Sequence, residues 1–151
     1  MVCSGNICRS PMAETVLRAK LTAAGIDGVV VDSFGIGPWH VGQPADPGAV
    51  AALRERGYDI VHVARVIDAE DVAGRDLIVA MEHEHLRAVR RLARGLPEPP
   101  ELRLLSSFVE DWPGADDGVP DPYYGGPAEY AHALDLIERG ADGIVAELGG
   151  T

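Results

Sequence analysis

Apolar and polar positions along this chain switch repeatedly between a helical and a strand period. From Pro11 to Ala24 the apolar residues Met12, Val16, Ala19 and Ala23 recur at helical spacing; Ser10 is the predicted N-cap, Pro11 suits the first turn, and Gly25 is the stop. Val29–Ser33 reads as a strand. A second helix begins at Asp46-Pro47, carries Val50 and Leu53, and stops at Gly57. Residues 68–74 predict a short helix, and Asp76–Met81, with its unbroken apolar centre, a buried strand. His83–Ala93 follows as a basic amphipathic helix and Leu102–Leu105 as a last strand. Pro127–Leu148 is helical, with Gly140 and Gly143 weakening its middle. Between them, residues 106–126 form a loop rich in Asp, Pro and Gly, and long loops in compact domains are usually functional. Strands separated by helices predict an α/β domain, a parallel sheet covered on both faces, with ligands bound at the carboxyl ends of the strands.

The 151 residues suffice for one domain, spanning residues 1–151, and not for two. A 46% hydrophobic content with 25% charged residues excludes a disordered chain, and the longest apolar runs are strand-length, so no membrane insertion is expected. The net charge is −11, and residues 110–151 hold ten Asp and Glu against the single Arg139. Binding nucleic acid through its phosphates needs the opposite sign, which excludes that class of partner. The first twenty residues are locally basic, with Arg9, Arg18 and Lys20 against Glu14, and leave room for one anion site. The only cysteines are Cys3 and Cys8. With no basic-then-apolar leader ahead of them, they point to the reducing cytoplasm and to catalytic rather than structural thiols.

The stretch Cys3-Ser4-Gly5-Asn6-Ile7-Cys8-Arg9-Ser10 runs straight into the helix at Pro11. A helix N-terminus offers unpaired N–H groups and a positive dipole end. Gly5 and Asn6 tolerate the left-handed conformations that turn successive amides inward as an anion nest. Arg9 adds a planar fork suited to two phosphate oxygens. Cys3 opens the loop, where the same positive field favours the thiolate, and a thiolate beneath a bound phosphate is placed for in-line attack on phosphorus.

Cysteine, five residues, then Arg-Ser-Pro, with Gly-Asn inside the loop, resembles the low molecular weight protein tyrosine phosphatase family. The resemblance continues through Trp39-His40-Val41-Gly42, Asp46-Pro47, Gly57-Tyr58, His62 with Ala64-Arg65, and Asp121-Pro122-Tyr123-Tyr124-Gly125. It implies a four-stranded parallel sheet, a Cys3 nucleophile, Arg9 and the loop residues Ser4, Gly5, Asn6, Ile7 and Cys8 around the phosphate, and Asp121 as acid and then base. It implies further that Asn6, Ser10, Ser33 and His62 form a polar network behind the loop, Ser10 donating a hydrogen bond to Cys3. Trp39, Tyr123 and Tyr124 then wall the pocket, where flat rings suit an aryl phosphate. The substrates implied are phosphotyrosine-containing proteins and the enzyme a monomer. Asp116 and Asp117 read as ordinary surface acids.

Other signals add no metal and no cofactor. His83 and His85 sit two apart on a helix, share no face and read as solvated. Gly35-Ile36-Gly37 lacks the third glycine of a dinucleotide loop, and two cysteines are too few for structural zinc. An arsenate reductase on this scaffold needs cysteines beyond Cys8, which are absent. A protein-arginine phosphatase has Thr where this chain has Ile7 and lacks the tyrosine pair. A non-catalytic phosphate-binding module does not explain Cys3, Arg9 and Asp121 together.

In the family a full strand precedes the nucleophile, whereas only Met1 and Val2 precede Cys3 here. A first strand nearly absent leaves backbone groups unpaired in the middle of the sheet, and the expectation is a start site placed late and lowered stability. Adding about five apolar, β-branched residues ahead of Met1 is expected to raise melting temperature and phosphatase activity together. Equal melting and activity in both forms would remove that expectation.

Overall fold

In the computed structural model, which describes residues 1–114 and 116–149, four parallel strands form one sheet. The first, β1 (Val2–Cys3), lies in its middle, between β2 (Phe34–Gly35) and β3 (Leu77–Ala80), and β4 (Glu101–Leu104) flanks β3. Val2 stands opposite Phe34 on one side and Ala80 on the other, and Cys3 stands opposite Gly35.

Successive strand residues point to opposite faces, and two cores result. Cys3 and Val79 join Met12, Val16 and Leu17 of α1 (Arg9–Ala23), Leu53 of α2 (Pro47–Glu55), and Leu134 and Ile137 of the C-terminal helix on one face. Val2 and Ile78 join Val72 of α3 (Ala69–Ala73) and Val89 of α4 (His83–Ala93) on the other. The C-terminal helix is α5 (Pro127–Gly149). Its Gly140 and Gly143 do not mark a weak middle. A Cβ on Gly140 would lie 2.3 Å from Leu105 Cγ, and one on Gly143 2.1 Å from the Phe108 carbonyl oxygen, so both glycines let α5 press onto the 3₁₀ turn Leu105–Phe108.

Most predicted elements stand within a residue or two of their expected ends, and two differ for physical reasons. Helix α1 begins at Arg9, two residues before Pro11, and its N-cap is Cys8, with no side chain capping it. Ser10 lies inside the first turn, its hydroxyl engaged at Cys3 instead. The predicted strand Val29–Ser33 is not a strand; pairing starts at Phe34. A strand needs a neighbour, and the pairing with β1 has Val2 opposite Phe34: the Phe34 N–H donates to the Met1 carbonyl, and the Met1 amine donates to the Asp32 carbonyl at 3.0 Å. Upstream of that point Val30 is 91% exposed, and Val29–Asp32 face Leu77 and Val79 across a cleft of about 580 Å³. No helix among the described residues is long and apolar enough to cross a membrane.

Candidate active site

Cys3 ends β1, and the chain turns at once into the loop that leads to α1. That loop is strapped to β2: the Ile36 N–H donates to the Cys3 and Ser4 carbonyls, each at 3.0 Å, and the Gly37 N–H to the Ser4 carbonyl. Gly35 permits the approach, since a Cβ there would lie 2.8 Å from the Ser4 carbonyl oxygen and 3.0 Å from backbone of Gly5. Asn6 is the one described non-glycine residue with positive φ, at 61°. Asparagine tolerates that left-handed turn, and here its side chain is fully used. Its amide donates to Ser10 Oγ at 2.8 Å and to Ser33 Oγ at 2.9 Å, and its Oδ1 accepts from the Arg65 N–H. The Ser33 hydroxyl in turn donates a hydrogen bond to Glu14 Oε1 at 2.7 Å, and His62 Nε2 lies 2.6 Å from the Asn6 carbonyl oxygen.

Thus Asn6, Ser10, Ser33 and His62 lie together behind the loop, as one network. Cys3 is 3% exposed, and its Sγ lies 2.9 Å from Ser10 Oγ. Ser10 already accepts from Asn6, so its proton is available to the sulfur, which is nearer than the Phe34 carbonyl at 3.4 Å. Among the described residues no buried side-chain nitrogen or oxygen lacks a partner, so the network adds rigidity with no unpaired polar group to destabilise it.

Arg9, the first residue of α1, is 3% exposed. Its Nη1 pairs with the Glu82 carboxylate and donates to the Val119 carbonyl at 2.9 Å, and its Nη2 lies 3.6 Å from Asp121 Oδ2 and 3.4 Å from Ser4 Oγ. Asp121 is about half exposed, at the rim, and its Oδ1 accepts from the Tyr123 N–H at 3.1 Å. Asp121, remote in sequence, is thus brought to the loop that carries both Cys3 and Arg9. Glu82, which orients Arg9, was missed by sequence reasoning. Its signal is positional: an acid directly after a buried strand, at the carboxyl end where such sheets bind ligands.

Of the three aromatic residues expected as walls, Tyr123 and Tyr124 stand together, rings edge-on at 4.8 Å. Trp39 is 66% exposed and folds over Gly37, where a Cβ would lie 2.1 Å from its ring. The ring that closes over the loop belongs to His40. Its Cδ2 would lie 2.6 Å from a Cβ on Gly5, its centroid is 5.7 Å from that of Tyr123, and Gln43 anchors its Nδ1 at 3.0 Å. Gly5 is therefore needed for close approach, with the left-handed turn falling to Asn6. His40 was legible only as part of Trp39-His40-Val41-Gly42.

The whole chain, residues 1–151, matches the family model for low molecular weight phosphotyrosine protein phosphatase. The chain belongs to that family. It is 44% identical over 146 residues to a low molecular weight protein-tyrosine-phosphatase of Streptomyces coelicolor, covering 96% of this chain and 89% of that protein. A crystal structure of a protein tyrosine phosphatase from Entamoeba histolytica superposes with a TM-score of 0.91 at 27% identity, covering 99% of this chain and 94% of that one. The structure of a Drosophila arginine phosphatase superposes with a TM-score of 0.90 at 30% identity, covering 97% and 94%.

Within this phosphatase loop the two thiols are held differently. Cys8 is buried, and burial first, then the Asp46 carboxylate, pushes its thiol up to about 12, so it stays protonated at neutral pH. The Tyr130 hydroxyl donates to Asp46, leaving its oxygen to accept weakly from the Cys8 S–H at 4.0 Å. Asp46 also caps α2 through the Gly48 N–H, and its own N–H holds the Ile7 carbonyl at 2.8 Å. His85 corrects the sequence reading: it is fully buried, not solvated, while His83 is exposed, so the two share no face.

Proposed function

We propose that the chain is a metal-independent phosphatase that hydrolyses phosphotyrosine in proteins through a phosphocysteine, working as a monomer in the cytoplasm. The observation that supports this most directly is the convergence of Cys3 and Arg9 on one loop with Asp121 3.6 Å from the Arg9 fork. In the first step the Cys3 sulfur forms a bond to phosphorus as the ester P–O bond breaks, and Asp121 gives its proton to the departing phenol oxygen. In the second, Asp121 takes a proton from water, whose oxygen attacks phosphorus as the S–P bond breaks, and the hydrogen bond from Ser10 receives the returning thiolate. Arg9 and the loop from Ser4 through Cys8 hold the phosphoryl oxygens, Ser33 and His62 support the loop, and Tyr123, Tyr124 and His40 flank the aryl ring, with Trp39 over Gly37. Two free thiols on one loop favour a reducing compartment.

The likeness to an arginine phosphatase raises a second substrate class, phosphoarginine. Ile7, nearly buried, and the tyrosine pair at the rim favour the aryl ester. Phosphotyrosine and phosphoarginine peptides of one sequence decide between them. The expected result is kcat/KM at least about tenfold higher for phosphotyrosine, and the reverse ratio would overturn the reading.

Cys8 is expected to guard Cys3 from irreversible oxidation. Peroxide converts Cys3 to the sulfenic acid, which condenses with the Cys8 thiol to a disulfide and water. Because Cys8 must first lose its proton, and its thiol stands near 12, this condensation is expected to quicken about tenfold per pH unit across the neutral range. Dithiol should restore activity in the parent and much less in Cys8→Ala; equal recovery in both removes the idea.

A further inference from the structure

The mechanism above assigns no separate role to the Ser4 side chain within the loop, and the histidine that touches it is fully buried. His85 lies in the first turn of α4, with Nδ1 3.1 Å from the Glu82 N and Nε2 2.9 Å from Ser4 Oγ. A backbone N–H can only donate, so Nδ1 is the acceptor and carries no proton. The neutral ring then bears its hydrogen on Nε2 and donates it to Ser4 Oγ. Burial first, and Arg9 second, lower the imidazole to about 3, so the ring stays neutral and the tautomer fixed. Ser4 Oγ also faces Arg9 Nη2, a second donor, at 3.4 Å. With its lone pairs turned to His85 and Arg9, the Ser4 hydroxyl has one hydrogen to give, and among the described residues it has no protein acceptor. The group that Arg9 would hold at that side of the loop is an oxyanion.

We propose that Ser4 and His85 form a positioning pair, in which the buried His85 ring fixes the Ser4 hydroxyl so that its proton is donated to a phosphoryl oxygen held by Arg9. Ser4 touches the bound group, and His85 acts through Ser4. The start of α4 then governs the phosphate twice, because Glu82 grips Arg9 from one side while its own N–H sets the His85 tautomer. The inference rests on the phosphate-loop reading and adds to it one specific donor and the residue that aims it.

Inhibition by inorganic phosphate tests the pair, read beside KM, kcat and melting temperature. Ser4→Ala removes the donor. His85→Asn keeps an acceptor near Nδ1 for the Glu82 N–H but cannot reach Ser4, whereas His85→Gln can place an amide N–H near the Nε2 position. A hydrogen bond to a charged oxygen predicts phosphate inhibition weakened about tenfold in Ser4→Ala and in His85→Asn. KM should rise by a similar factor while kcat stays within about twofold of the parent, because the oxygen is present in ground and transition states alike. The double variant should bind phosphate no worse than either single one, and His85→Gln should recover most of the loss. A purely structural pair would lower the melting temperature and leave phosphate inhibition of the active enzyme unchanged. Inhibition within twofold of the parent in Ser4→Ala, or losses that multiply in the double variant, would overturn the pair while the loop reading stands. Ser4→Ala decides alone should the His85 variants fail to fold. A parent enzyme that phosphate does not inhibit at all would overturn the loop reading, and the pair with it.

Discussion

Cys3→Ser is expected to lower hydrolysis of aryl phosphates by on the order of 10⁴-fold or more while leaving phosphate binding close to that of the parent. The reason lies in what surrounds the sulfur. Its side-chain partner is the Ser10 hydroxyl, 2.9 Å away, and among the described residues neither an imidazole nor a carboxylate is hydrogen-bonded to it. Sulfur attacks phosphorus as a thiolate, a far weaker base than an alkoxide. A serine hydroxyl there has no base to take its proton, so the nucleophile is lost although the substitution removes little volume. The groups that hold the phosphate are untouched: Arg9 keeps Glu82 and the Val119 carbonyl, and Asn6 keeps the loop turned. Calorimetry with inorganic phosphate, set beside turnover of an aryl phosphate, separates binding from chemistry. Persistent turnover by Cys3→Ser, or loss of parent activity on adding a chelator, would sink a mechanism built on a cysteine nucleophile without metal.

How much of this was legible beforehand depends on how local the determinants are. The loop from Cys3 to Ser10 encodes its own shape, through an asparagine that accepts positive φ and a helix beginning within the motif, so its residues were found by reading. The network of Asn6, Ser10 and Ser33 was reachable only by resemblance, because its members come from separate elements and are joined by the sheet. Glu82 and His85 were not reached at all. They look like solvated residues at the start of a charged helix, and only the parallel register of β3 beside β1 carries that helix start against Arg9 and Ser4. The strand expected at Val29–Ser33 failed for the complementary reason. Its composition is right for a strand, but a strand is a relation between two segments, and here the pairing with β1 joins Val2 to Phe34 and Cys3 to Gly35. Trp39 and His40 show the same limit at the scale of one side chain: adjacent in sequence, they go to Gly37 and Gly5 respectively.

The second large effect is expected at Asp121, and its size should depend on the leaving group. Asp121→Asn keeps an oxygen for the Tyr123 N–H, so the loop geometry is expected to survive, but it can neither give nor take a proton. Protonation matters most when the departing oxygen is basic. Phenyl phosphate and phosphotyrosine should slow by about 10²–10⁴-fold, and an ester whose phenol is strongly acidic by much less in the step that forms phosphocysteine. Pre-steady-state bursts separate the two steps, in which Asp121 is proposed to act first as acid and then as base. With an acidic phenol the variant should still show a burst, followed by a slowed steady rate as water attacks without a base. The position of the carboxylate fits both steps: it lies at the rim, about half exposed, where a leaving group departs and water enters, and 3.6 Å from the Arg9 fork. Asp116 and Asp117 provide the control. Both are exposed acids of the same loop, and Asp117 lies 3.4 Å from His83, away from Arg9. Their Asn variants should stay within about twofold of the parent, as ordinary surface substitutions do. An Asp121→Asn loss that is the same for every leaving group, or no larger than that of Asp117→Asn, would remove Asp121 from the proton path and leave it a partner of Arg9 alone.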